Sequence, residues 1–165
     1  MASRATQPAA IRIGDPHLER RLRTALAGEV LFGPFDRARY ARDASIYQIE
    51  PIGVVRPRTK ADVEAALAIA LEEGVSVVPP GGGCSQAGQT VGRSLVLDNA
   101  RWLTGLHDLD VGARTVWVEP GLVLDDLNRA LAPHGLFYPV DVSTSSRATL
   151  GGMTANNACG ARSLR

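Results

Sequence analysis

The spacing of apolar residues in the first half of the chain predicts strands that alternate with a helix. Apolar, β-branched runs at 53–57 and 75–78 are typical of strands, and a third such run lies at 94–98. Thr59 and Asp62 have the spacing of a capping box, which predicts the start of a helix between the first two strands. These elements form a β-α-β unit, whose strands we expect to be parallel and whose connection we expect to be right-handed.

The pattern changes in the second half of the chain. Apolar and polar residues alternate at 105–110 and at 114–119, which predicts a β-hairpin. A helix is expected at 123–131, where three leucines share one face. The predicted fold class is therefore α+β, with a small parallel β-α-β subdomain followed by the start of a second, mixed or antiparallel subdomain.

The N-terminal part of the chain shows a weaker pattern. We expect disorder at 1–12, a capped helix at 17–26 and a shorter helix at 36–41. Both helices are expected to be peripheral. The predicted organisation is therefore an N-terminal extension at 1–45 and a main domain at 46–165.

Composition and charge narrow the class of protein. The chain has 165 residues, of which 45% are hydrophobic and 21% are charged, as in an ordinary globular domain. The net charge of +1 gives no reason to expect nucleic acid or an anionic membrane as a partner, and no apolar run has the length of a transmembrane segment. Cys84 and Cys159 are far apart and lack metal-ligand spacing, so we expect no metal site and a reducing, cytoplasmic location.

The candidate chemistry lies in a glycine-rich loop after the second strand. Pro79 and Pro80 end that strand because neither residue can donate a ladder hydrogen bond. The three glycines at 81–83 let a ligand come close to the main chain, and successive free amides can form a concave anion site. With the Ser85 hydroxyl as a further donor, the loop predicts a pyrophosphate held by backbone amides.

Two common nucleotide motifs do not fit this loop. A G-x-G-x-x-G motif that begins at Gly81 needs a glycine where the chain has Gln86. A Walker A motif that ends at Thr90 needs a lysine where the chain has Gln89. Both motifs open a helix, whereas this loop leads into a strand. A flexible surface loop without a ligand is the less favoured alternative.

A second candidate segment at 138–160 is rich in small residues and hydrogen-bonding side chains. The pattern predicts a long polar loop with one helical turn. Loops of this length inside a compact domain are usually functional. The segment therefore joins the glycine-rich loop as a candidate part of a binding site.

Four motifs in one order carry a resemblance to a known family. They are Val54-Val55-Arg56-Pro57, Pro80-Gly81-Gly82-Gly83-Cys84-Ser85 with Gly88-Gln89, Val118-Glu119-Pro120-Gly121, and Thr149-Leu150-Gly151-Gly152 with Asn156-Asn157-Ala158-Cys159-Gly160. Over residues 46–165 the chain resembles the FAD-binding (PCMH-type) domain of the p-cresol methylhydroxylase/vanillyl-alcohol oxidase superfamily. The resemblance is to its FAD-linked D-2-hydroxy-acid dehydrogenase branch, which includes the FAD subunit of glycolate oxidase and the D-lactate and D-2-hydroxyglutarate dehydrogenases.

The resemblance implies FAD as the cofactor and a set of binding residues. The loop expected to hold the FAD pyrophosphate comprises Pro80, Gly81, Gly82, Gly83, Cys84, Ser85, Gly88 and Gln89. The residues expected near the adenosine half are Pro120 and Gly121. The residues expected to line the flavin side are Pro139, Asp141, Ser143, Thr149, Gly151, Gly152, Asn156, Ala158 and Gly160.

The resemblance also implies a function. The chain is expected to be the FAD-binding portion of an oxidoreductase that oxidises a 2-hydroxy acid by hydride transfer to FAD, with an unknown electron acceptor. Cys84 and Arg147 stand where covalent members of the family carry their attachment residues, so we expect non-covalent FAD.

The family's catalytic residues are expected beyond Arg165. The chain alone is therefore expected to be an inactive N-terminal fragment, with a partly uncovered apolar face on the helix at 123–131. A non-catalytic nucleotide- or phosphate-binding module and an inactive truncated product are the alternatives left open.

Overall fold

The computed structural model describes residues 12–161, which form two sheets with helices packed on them. The segment 1–12, expected to be disordered, lies outside the described residues apart from Arg12. The strands are β1 (Glu29–Leu31), β2 (Gly53–Arg56), β3 (Val77–Val78), β4 (Leu95–Leu97), β5 (Leu106–Asp110) and β6 (Thr115–Val118). The α-helices are α1 (Pro16–Ala25), α2 (Pro34–Arg39), α3 (Lys60–Glu72), α4 (Leu124–Leu131) and α5 (Leu150–Ala155). Short 3-10 helices lie at Asn99–Arg101 and Ala132–His134.

The first sheet contains the parallel unit that the sequence predicts. Its strand order is β1-β2-β4-β3, and both β2 and β3 pair with β4 in parallel. The predicted third strand is β4, which lies between β2 and β3, and all three of its residues are buried. Strand β1, which the sequence pattern did not predict, pairs antiparallel with β2. The second sheet is the predicted antiparallel hairpin of β5 and β6.

Two acidic caps begin the helices of the first subdomain. The Asp15 carboxylate accepts hydrogen bonds from the amides of His17 and Leu18, which begins α1. Thr59 and Asp62 form the predicted capping box at the start of α3. Asp62 is 5% exposed and also accepts a hydrogen bond from the amide of Ala27, so this cap ties α3 to the end of α1.

Helix α1, which we expected to be peripheral, packs in the first core. Leu18 and Leu22 of α1 are completely buried, in one apolar cluster with Ala66 and Ile69 of α3. On α2, the buried Arg37 guanidinium bonds the Phe32 carbonyl and the Glu50 carboxylate. Helix α1 therefore lies N-terminal to the predicted boundary at residue 46 but contributes to the same core as α3.

The second core surrounds α4. Its residues Leu124 and Leu127 are 1% and 2% exposed and pack with Leu122, Leu150 and Met153. The apolar face of α4, which we expected to be partly uncovered, is therefore covered by the segment that carries α5. Large apolar side chains remain exposed elsewhere in this half, among them Trp117 and Phe137.

We predict that shortening a side chain of α1 destabilises the whole domain. Leu22→Ala should lower the free energy of unfolding by about 2–5 kcal/mol, because it leaves a cavity between α1 and α3. Leu71→Ala on α3 is the matched control, since that leucine is 83% exposed and its truncation should cost less than about 0.5 kcal/mol. Urea unfolding followed by circular dichroism measures both. Equal, small effects would show that α1 is a dispensable extension.

Candidate cofactor-binding site

The glycine-rich loop and the segment that carries α5 enclose a pocket of about 380 Å³. The loop leaves the carboxyl end of β3, the edge of a parallel sheet where ligands usually bind. Thr149 caps α5 through its hydroxyl, which accepts a hydrogen bond from the Gly152 amide. The pocket therefore lies between the two candidate segments.

The structure brings only part of the predicted residue set to this pocket. Predicted residues that line it are Gly81, Gly82, Gly83, Cys84, Ser85, Gln89, Thr149, Gly152, Asn156 and Ala158. Predicted residues outside its lining are Pro80, Gly88, Pro120, Gly121, Pro139, Asp141, Ser143, Gly151 and Gly160. Lining residues that were not predicted are Pro79, Thr90, Val142, Thr144, Ala148, Met153 and Ala155. All of them lie in or next to the two candidate segments, but none belongs to the quoted motifs, so no signal in the sequence selects them.

The backbone amides of the loop are the main polar feature of the pocket. Within residues 12–161, the amides at 81–85 donate to no protein acceptor. Amides without a protein acceptor need water or a ligand in its place, and successive amides of this kind can bind an anion. The arrangement therefore suits a ligand with phosphate oxygens.

The three glycines of the loop differ in what they contact. A Cβ atom on Gly82 would lie 2.2 Å from the Arg147 carbonyl oxygen, and one on Gly81 would lie 3.0 Å from the Gly152 Cα. These two glycines therefore let the loop backbone touch the α5 segment. Gly83 has φ +66° and open space where its Cβ would be. Only Gly83 has the open surroundings that we expected of all three.

The outer end of the loop is held by an N-terminal segment. Asp43 accepts a hydrogen bond of 3.2 Å from the Thr90 hydroxyl, and the Tyr47 ring packs against Gly88. Burial raises the pKa of Asp43, but hydrogen bonds from Ser45 and Thr90 outweigh it and leave the pKa below its usual value. The carboxylate is thus in its accepting form near neutral pH.

Several predicted residues outside the pocket lining have a packing role. The Gly151 amide donates to the Pro120 carbonyl, and a Cβ on Gly151 would lie 2.6 Å from the Pro120 ring. A Cβ on Gly121 would lie 2.3 Å from the Asn99 carbonyl oxygen. These close contacts position α5, which forms one wall of the pocket.

A charged cluster lies at the carboxyl ends of β2 and β4. The Tyr40 hydroxyl donates to Asp98 at 2.5 Å and accepts from Arg56 at 2.8 Å, while Arg56 also pairs with Glu29 at 3.0 Å. Burial and the neighbouring Asp98 carboxylate raise the pKa of Tyr40 to about 12. Because these groups satisfy one another, the cluster fixes β1, β2 and β4 rather than binding a ligand.

Metal ligation and membrane insertion find no support in the part of the chain that the structure describes. No group of three or more His, Cys, Asp and Glu side chains there is placed to hold a metal ion. Between residues 12 and 161, no helix combines the length and the apolar character that crossing a bilayer requires.

The fold and the pocket together are typical of a domain that binds a phosphate-containing cofactor. The model of the FAD binding domain family matches residues 51–165. The chain therefore belongs to this family, and FAD is the cofactor of the domain.

Curated relatives and solved structures agree with this assignment. D-2-hydroxyglutarate dehydrogenase of Haemophilus influenzae is 40% identical over 84% of the chain, and glycolate oxidase subunit GlcD of Bacillus subtilis is 33% identical over 76%. The chain spans 14% and 27% of these two relatives, respectively. A crystal structure of p-cresol methylhydroxylase with substrate bound shares the fold with a TM-score of 0.70, at 17% identity, over 89% of this chain and 30% of that one. The predicted PCMH-type fold is thereby confirmed.

We predict that a methyl group at Gly83 weakens FAD binding, because Gly83 lines the pocket and the group would take up open space there. Gly83→Ala should lower FAD affinity by about fivefold to tenfold, the value of one lost hydrogen bond. Gly74→Ala is the matched control, since Gly74 has the same φ of +66° and the same open space but lies at the end of α3. Both variants should lose roughly 1 kcal/mol of stability through backbone strain. Quenching of FAD fluorescence measures affinity, and equal affinities in the two variants would contradict the amide site.

Proposed function

We propose that the chain is the FAD-binding portion of a flavin-dependent oxidoreductase that oxidises a 2-hydroxy acid. The observation that carries the proposal is that residues 81–85, whose amides have no protein acceptor within the described chain, line a pocket of a size suited to part of an extended cofactor. The family supports the cofactor. The names of the two relatives support the substrate class.

The lining residues fit the two chemical parts of FAD. The loop amides and the Ser85 hydroxyl suit the pyrophosphate, whose charge they would share. Apolar lining residues such as Val142 and Met153 suit a flat ring, and Gly152 has no side chain to obstruct it. We therefore place the pyrophosphate on the loop and the isoalloxazine towards α5.

When bound, FAD supplies the hydride-accepting centre, and the residues of this chain supply its binding and orientation. None of the three histidines lines the pocket: His17 lies near Glu73, His107 lies near Glu119, and His134 follows α4. The proposal therefore gives this chain no proton-abstracting residue. It leaves that group to other parts of the complete enzyme and leaves the electron acceptor unknown, so the isolated chain should be inactive.

The surroundings of the protein follow from the same proposal. Both Cys84 and Cys159 are free thiols, which supports a cytoplasmic location. The net charge of +1 supports a small-molecule substrate rather than nucleic acid. We propose a division at residue 46 into an N-terminal extension and the FAD-binding domain, close to residue 51, where the match to the FAD binding domain family begins.

We predict that the FAD is not covalently attached. Cys84 is the one thiol in the described pocket lining, and its sulfur accepts a hydrogen bond of 3.4 Å from Thr144. Arg147 has no nucleophilic atom for a bond to the flavin. Acid precipitation of the flavin-loaded protein should leave the yellow colour in the supernatant. A yellow pellet in the wild type that turns colourless in Cys84→Ser would show a thioether instead.

We predict that 2-hydroxy acids reduce the flavin of the complete enzyme. Under anaerobic conditions, a series of D- and L-2-hydroxy acids should bleach the flavin absorbance, and the 2-oxo products should not. The isolated 165-residue chain serves as the control that tests whether it lacks the reacting groups. Tightly bound FAD that no member of the series reduces would favour a binding module without this chemistry.

A further inference from the structure

One side-chain bridge joins the glycine-rich loop to the far end of α5. The Gln89 side-chain amide donates to the Asn156 side-chain oxygen at 2.9 Å. The Gln89 side-chain oxygen accepts from the Ser85 hydroxyl at 2.7 Å, and Ser85 in turn accepts from the Ala87 amide at 3.2 Å. The bridge is thus a continuous chain of hydrogen bonds from α5 back into the loop.

The bridge uses both functional groups of Gln89. Its NH2 group is directed to one segment and its carbonyl to the other, so the side chain has a fixed orientation across the edge of the pocket. Asn156 is the C-terminal cap residue of α5, and the contacts of Gly151 and Pro120 hold that helix to the second core. Gln89 therefore connects a loop of unpaired amides to a fixed element.

We propose that Gln89 and Asn156 act through each other as positioning residues, which hold the amides at 81–85 in the arrangement that the FAD pyrophosphate needs. This inference rests on the proposed FAD site. Family resemblance implies that Gln89 and Asn156 each contact the cofactor independently. The inference instead gives the two residues one joint role, as a bridge between two protein segments.

The physical basis is preorganisation of the loop. The amides at 81–85 have no protein partners in the described chain, so the bridge and the close packing of Gly81 and Gly82 limit how far the loop can move. A loop that is already ordered loses less entropy when it binds a ligand. The bridge is exposed without ligand, and a bound cofactor would exclude water from it and strengthen its hydrogen bonds. Bridge formation and FAD binding should therefore promote each other.

A double-mutant cycle on the complete flavoprotein tests the coupling. Gln89→Ala and Asn156→Ala should each lower FAD affinity by about fivefold to tenfold, and the double variant should be no weaker than either single variant. Gln86→Ala is the matched control, because Gln86 is an exposed residue of the same loop, does not line the pocket and makes no hydrogen bond that the structure shows. Losses that multiply in the double variant would mean independent contacts and would overturn the proposal.

A second readout does not depend on the cofactor. In the NMR spectrum of the ligand-free protein, the side-chain amide resonances of Gln89 should shift in Asn156→Ala, while those of Gln86 should not respond. If the Gln89 side-chain signals are the same in the wild type and in Asn156→Ala, the inference is overturned, even if FAD binds normally. A wild-type protein with the NMR bridge but without FAD binding instead contradicts the proposed function and removes the positioning role with it.

Discussion

The site depends on direct contact between two stretches of backbone, the glycine-rich loop and the start of α5. Gly81 lies close to Gly152, and Gly82 lies against the Arg147 carbonyl, at separations that leave no room for a side chain. Atoms that approach this closely exclude water and fix the relative position of both segments. The loop residues 81–85 line the pocket, and two of them, Gly81 and Gly82, also touch the segment that carries α5.

That contact can fix the loop only if α5 is itself held in place. The second core holds it. The amides of Leu150 and Gly151 donate to the carbonyls of Leu122 and Pro120, and Leu124 donates to the Ala148 carbonyl. The side chains of Leu150 and Met153 are buried beside α4. The other side of the pocket begins at β3, which is held by β4 in the first core. Each half of the chain therefore supplies one wall, and the pocket exists because both cores are formed.

Sequence reasoning succeeded where a local rule determines the outcome. The Thr59–Asp62 capping box and the hairpin of β5 and β6 follow from spacing alone. The sequence pattern missed β1. This strand has only three residues, of which only Val30 is buried, so it is too short to show an alternation of apolar and polar residues. The burial of α1 also escaped prediction, because an amphipathic helix does not indicate which partner covers it. In the site, family resemblance located both loops. It could not tell a glycine that leaves room for a ligand from a glycine that allows two backbone segments to touch, because both are simply glycine in the sequence. Only the three-dimensional position of a missing Cβ separates Gly83 from Gly82.

The unpaired amides at 81–85 also have a thermodynamic consequence. Pro79 and Pro80 stop β3 before the loop, so these amides cannot join the sheet, and in the described chain they find no other protein acceptor. Without ligand, only water can satisfy them. A ligand that takes the place of this water binds the folded chain and not the unfolded one, so it stabilises the fold through mass action. Because the loop backbone touches the segment that carries α5 at Gly81 and Gly82, that stabilisation reaches the junction between the two cores and not the loop alone. Cofactor binding and the packing of the two halves against each other therefore depend on the same contact between the loop and the α5 segment.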